Sequence, residues 1–138
     1  MSTRACYTFR DGDEEYHVYK HHDGYPTGAA EFIIAALKYA WELPRFEADE
    51  FAAAFVAANK HGARGVVPQG GGVRLMKTGD IRQVAPWDIE YRYEIEPKGQ
   101  SLQVKGYQTS YGENPTETLI FTCDIKDLAE TAATAEAA

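Results

Sequence analysis

The stretch Tyr19-Lys20-His21-His22-Asp23-Gly24-Tyr25-Pro26 marks the point where the chain changes its hydrophobic period, and the fold class turns on that change. Ahead of it the period is 2. Tyr7 and Phe9 alternate with Cys6 and Thr8, and Tyr16 and Val18 alternate with His17 and Tyr19. Between these runs lies Asp11-Gly12-Asp13, and an Asp-Gly pair flanked by alternating runs signals a β-hairpin. Behind the stretch the period is 3.6. Ala29, Ile33, Ala36, Leu37 and Ala40 form one stripe, flanked by Phe32 and Trp41. Thr27 reads as the N-cap of this helix. Leu43-Pro44 ends it, because the residue before a proline is driven out of the α region.

A second helix is expected from Glu47 to Lys60. Its stripe is Phe51, Ala54, Phe55 and Ala58. Acidic Glu47, Asp49 and Glu50 sit in the first turn, Lys60 and His61 in the last, and Gly62 beyond it. The connection Pro44-Arg45-Phe46 is short, so the two helices form an αα-hairpin. Gly62 to Gly72 reads as a loose connection, and Val73 to Met76 as a possible short strand ended by Lys77-Thr78-Gly79-Asp80. Pro86 argues against a central strand over Ile81–Trp87.

The clearest strand follows. Ile89, Tyr91, Tyr93 and Ile95 alternate strictly with Glu90, Arg92, Glu94 and Glu96, so one face is expected in the core and the other in solvent. Pro97-Lys98-Gly99-Gln100 turns the chain into a return strand carrying Leu102 and Val104, in which Glu94 faces Lys105. Gly106 marks a bulge. After the loop Ser110–Pro115, a last strand puts Leu119, Phe121, Cys123 and Ile125 on one face. The fold class is α+β: an antiparallel sheet of about five strands with the αα-hairpin packed on one face, in the order ββααβββ. Residues 1–128 form a single domain, and 129–138, rich in Ala, Glu and Thr without a stripe, a flexible C-terminal tail, either a frayed helix or disordered.

Composition narrows the function. A chain of 138 residues, 44% hydrophobic and 12% aromatic, builds one ordinary core. The net charge of −7 keeps the protein soluble and leaves an acidic face for a basic partner. It argues against direct nucleic-acid binding, which needs a basic stripe longer than Lys20-His21-His22. No apolar run is long enough for a membrane span, and the first residues lack a secretory core, so a cytoplasmic protein is expected. Cys6 and Cys123 then read as free buried thiols. No nucleophile elbow or P-loop is present, and Gly70–Gly72 lacks the lysine of a phosphate cradle, so no cofactor is expected.

The opening stretch holds the candidate site. His17 and His21 on one extended strand stand about 13 Å apart, too far to share one metal ion, and no zinc spacing exists; no metal is expected. His21 and Asp23 lie about 6–7 Å apart on one side, a spacing that suits a base and the carboxylate orienting it. They are the catalytic candidates. The competing reading is a structural corner. In it Asp23-Gly24 turns with glycine at positive φ, Pro26 leads into the helix, and Tyr19 and Tyr25 pack around it. The ligand- or partner-binding candidates are Tyr19, His21, Asp23, Tyr25, Gly71, Gly72 and Tyr111.

Tyr19, His21, Asp23, Gly24, Tyr25 and Pro26 spell Tyr-x-His-x-Asp-Gly-Tyr-Pro ahead of an alanine-rich helix. This resembles a family of small uncharacterised proteins from phages, prophages and bacteria. Gly71-Gly72-Val73 and Asp88-Ile89-Glu90-Tyr91 fit the same pattern. The resemblance implies a phage or mobile-element origin and carries no established activity. The first expectation is an acidic binding protein in the host cytoplasm. It would engage a host or defence component and pair as a homodimer through an edge strand or the helical hairpin. The alternatives are a small hydrolase of nucleotide-like or phosphoester substrates using His21 and Asp23, and a nucleotide-sequestering protein.

Overall fold

The period-2 segments pair into one six-stranded sheet in the computed structural model, which describes residues 3–60, 73–76, 88–110 and 116–138, with Arg74 by its backbone only. The strands are β1 (Ala5–Asp11), β2 (Glu14–Lys20), β3 (Val73–Leu75), β4 (Tyr91–Lys98), β5 (Ser101–Ser110) and β6 (Thr116–Asp124), in spatial order β3-β2-β1-β4-β5-β6. The hairpin β1–β2 closes on Gly12 and Asp13, with Gly12 at φ 62°. The class is α+β as expected, but the sheet is mixed: β1 pairs with β4 in parallel, and every other pair is antiparallel. The helical hairpin lies between β2 and β4 in the chain. It leads first to β3, the antiparallel neighbour of β2, and the chain then passes from that edge beyond β2 and β1 to β4, which runs in the same direction as β1.

Among the described residues, three helices flank the sheet: α1 (Pro26–Ala36), α2 (Ala48–Asn59) and α3 (Leu128–Ala137), the last following a 3₁₀ turn at Ile125–Asp127. Tyr7, Phe9, Val18, Tyr93, Ile95, Leu102, Val104 and Phe121 of the sheet meet Ile33, Phe51, Phe55 and Leu128 of the helices in the core. Tyr7 lies between Phe55 and Tyr93, with ring centroids at 4.5 and 5.4 Å. At Gly106 a Cβ would run into the Phe121 ring, and the β5–β6 register shifts between Gly106 and Tyr107. The bulge expected there serves to seat that ring.

Several sequence expectations are corrected. Thr27 does not cap α1. The cap is Tyr25, Pro26 opens the helix, and Thr27 donates both its backbone N–H and its hydroxyl to Glu136 of α3, each at 2.9 Å. The helix stops at Ala36, short of Ala40 and Trp41. The segment 129–138 is no flexible tail but most of α3, which buries Leu128 and Ala132 and packs against α1. Its stripe is mostly alanine, too weakly apolar to stand out, yet small enough for close helix packing.

The solvent face expected for β4 is wrong at its centre, since Arg92 and Glu94 are buried. Glu94 does sit opposite Lys105, as expected, but its carboxylate takes Arg10 at 3.0 Å and Arg92 at 2.7 Å. Lys105 reaches Glu96 instead, at 3.8 Å. Gly71, Gly72, Tyr111, the Lys77–Asp80 turn and the Ile81–Trp87 segment lie outside the described residues.

Candidate functional site

The conspicuous corner between β2 and α1 is built by close backbone approach. Gly24 is buried against the first strand, where an added Cβ would stand 2.6 Å from Ala5 Cβ and 2.9 Å from the Thr3 carbonyl oxygen. Its N–H donates to Thr3 at 2.9 Å, and its carbonyl accepts the Tyr93 hydroxyl at 2.6 Å. At Gly28 a Cβ would collide with the Asp23 carbonyl. The positive φ expected at Gly24 belongs instead to Asp23, at 58°. Aspartate tolerates that region better than most residues. Gly24 is therefore required by space rather than by φ.

The side chains of the corner go to different partners. The Tyr19 hydroxyl and His21 Nδ1 are hydrogen-bonded at 2.7 Å on the side of β2 opposite α1 and α2. The His21 and His22 rings meet edge-on at 4.8 Å. Asp23 is exposed and bonds the Tyr25 hydroxyl. Burial, the Asp23 charge and this bond all raise the Tyr25 pKa. Lys20 points to the opposite face. Its ammonium lies 3.8 Å from the Phe32 ring centroid and 3.5 Å from the His22 carbonyl, and burial lowers its pKa despite Asp23 nearby. The structure thus joins His21 to a phenol and Asp23 to a phenol. Tyr19, His21, Asp23 and Tyr25 sit together at the corner in the pairs Tyr19–His21 and Asp23–Tyr25.

Sequence reasoning missed a second polar assembly, on the face of the sheet opposite the helices. Thr8 Oγ1 and His17 Nδ1 are hydrogen-bonded at 2.9 Å, fully buried. Beside them runs a ladder of alternating charge. Arg10 holds Glu15 at 2.6 Å and Glu94, and Arg92 holds Glu94 and, through two donors at 2.6 and 2.9 Å, Glu117. The Arg92 guanidinium also lies 4.6 Å from the Tyr107 ring centroid. Desolvation works against the Arg92 charge, but Glu117 and Glu94 outweigh it and leave its pKa raised. Cys6 lies on the same face, donates to Met76 Sδ at 3.4 Å, and has its thiol pushed up to about 12 by burial. The charges were legible one by one in the sequence. Their meeting required the β1–β4 register.

The ladder leads to β6, the outermost strand on that side. Thr116, Thr118, Leu119 and Thr122 are exposed, Leu119 by 52%. Leu119 pairs with Tyr107 and so stands on the face opposite the described helices, beyond the Arg92–Glu117 bridge. The outer side of β6 carries no further strand among the described residues. Also among the described residues, no three His, Cys, Asp or Glu side chains are grouped to hold a metal ion, and no helix is long and apolar enough to cross a membrane. No family model matches the chain, and no curated protein or solved structure matches it.

Proposed function

We propose that the protein is a non-catalytic binding protein that captures an extended segment of another protein along the outer edge of β6. The observation that carries this reading is the strand itself. It is nine residues long, terminal in the sheet, and rich in Thr, Leu, Ile and Phe. Edge strands that must stay unpaired are commonly guarded by lysine or proline, and Thr116–Asp124 contains neither. Such an edge offers backbone hydrogen bonds to an added strand, with Leu119 and Tyr107 available for side-chain selection. The net charge of −7 favours a segment carrying basic residues.

The corner motif supports this reading by what it does. Its glycine and the Tyr93 hydroxyl tie the β2–α1 junction to β1 and β4, which is a folding role. Its resemblance to small phage and prophage proteins favours a host or defence component as the partner, met in the host cytoplasm.

The test is site-specific photo-cross-linking from Thr118, exposed on the same strand, in the full chain expressed in a bacterial host. One protein should be captured in high yield. The adduct should disappear in a Leu119→Lys/Thr122→Lys variant and persist in His21→Ala. An adduct indifferent to the edge charges would overturn the edge as the site. Turnover of a nucleotide or phosphoester, abolished by His21→Ala, would overturn the non-catalytic reading.

A further inference from the structure

Helix α2 carries a second stripe besides the one that faces the core. Asp49, Ala53, Val56, Ala57 and Lys60 recur at helical spacing on its outer side, beside the buried Ala52. They form one wall of an apolar groove of about 650 Å³, closed by Tyr16 of β2, Tyr39 and Leu75 of β3. Tyr39 is 59% exposed and Leu75 74%, the two most exposed large apolar side chains among the described residues. Apolar side chains left this open beside a groove are what a docked surface would cover.

The charges at the ends of the stripe identify the occupant. One end is acidic: Asp49 lies there, and the Tyr16 hydroxyl donates to Glu14 at 3.2 Å. The other end carries Lys60, whose ammonium reaches the Val73 carbonyl at 3.3 Å and retains further donors. This pattern is its own complement. A two-fold axis between Ala53 and Val56 would set Asp49 opposite Lys60 and Ala53 opposite Val56. The two charges lie about 16 Å apart along the helix in both copies, so both ion pairs form together. The small side chains at the centre permit a close interhelical approach, at the short end of about 8–10 Å.

We infer that this face is a homodimer interface, in which a second copy of the chain lays its α2 antiparallel against the first. Tyr39 and Leu75 of each copy flank the helix of the other. Burial of these apolar groups supplies the attraction, while the end charges set register, because exposed ion pairs contribute little affinity. The inference does not depend on the β6 reading. Helix α2 packs over β1, β2 and β3, at the end of the sheet away from β6. A dimer of this kind would leave both β6 edges outward, ready for a bivalent partner.

The test is sedimentation equilibrium on the full chain, with circular dichroism to confirm folding. The wild type should dimerise reversibly. Ala53→Glu, at an exposed position, should weaken the dimer at least about tenfold while keeping the melting temperature. Asp49→Lys and Lys60→Asp should each weaken it alone, since like charges then meet at both ends. Mixing those two variants should restore dimers, because each end of the mixed pair again sets one lysine against one aspartate. A wild type monomeric up to about 1 mM would overturn the inference. So would a dimer indifferent to Ala53→Glu, or a mixture no more dimeric than its components. A dimer lost in Leu119→Lys/Thr122→Lys but kept in Ala53→Glu would move the interface to β6 and overturn it as well.

Discussion

The two faces of the sheet are buried to a similar depth by opposite chemistry. The helix-side face is aromatic and aliphatic: Tyr7, Phe9, Tyr93 and Ile95 meet Phe51 and Phe55. The other face buries Thr8, His17, Arg92 and Glu94, each bound to a polar partner. On the first face stability comes from area removed from water, which tolerates some change of shape. On the second it depends on every partner being present, because a buried charge without its counter-ion is costly. The first face should therefore lose most from truncation, and the second from leaving a pair half made.

The largest effect is expected at the apolar face. Phe55→Ala should cost about 3–5 kcal/mol in urea unfolding, the range for a buried aromatic truncation. A loss below that of any polar-face variant would reverse the ranking. Next comes Arg92→Met, which removes the bidentate bridge to Glu117 and one of the two arginines on Glu94, and should cost about 3 kcal/mol. Replacing Arg92, Glu94 and Glu117 together by apolar residues of similar size should recover most of that loss. No recovery would mean that the ladder contributes beyond its own pairing.

At the corner, Tyr93→Phe leaves the Gly24 carbonyl without its hydroxyl donor and should cost about 1–2 kcal/mol. His21→Ala should cost less, because its bond to Tyr19 is only part-buried. The reverse order would put the weight of the corner on the histidine. Tyr7→Phe runs the other way. The Tyr7 hydroxyl is buried with no hydrogen-bond partner among the described residues, so removing it should stabilise by up to about 1 kcal/mol. A destabilised variant would reveal a partner for that hydroxyl.

The smallest effect is a pH slope at the end of β6. The Lys126 backbone N–H, helped by Ser101, holds the Asp124 carboxyl below its ordinary value of 3.8. A depressed folded pKa gives stability that is present above the unfolded value and lost as pH falls through the folded one. Melting temperatures of wild type and Asp124→Asn should therefore converge as the pH falls below 3.8. Parallel curves across that range would show that Asp124 does not contribute.

How much of this was legible beforehand depended on the range of the interactions. The β1–β2 hairpin, the β4–β5 hairpin with Glu94 opposite Lys105, and α2 were readable because period and turn residues are local signals. Helix α3 was legible only as a frayed helix or disordered tail, because Ala132 and Ala135 form a stripe too weakly apolar to separate from a polar tail. The corner was noticed for its histidines and aspartate. Its structural weight rests on Gly24, whose need for space exists only because Ala5 and Thr3 come within 3 Å of where a Cβ would lie.

The amino-acid sequence by itself determined the elements, the α+β class and the concentration of polar residues at one junction, since each follows from neighbours within a turn or a strand. Tertiary structure alone decided that β1 and β4 run parallel, that Arg92 and Glu94 are buried, and that β6 lies at the edge. Those outcomes depend on which strands, distant along the chain, come to lie side by side. That choice is made by packing the whole apolar face at once, and no single stretch of residues encodes it.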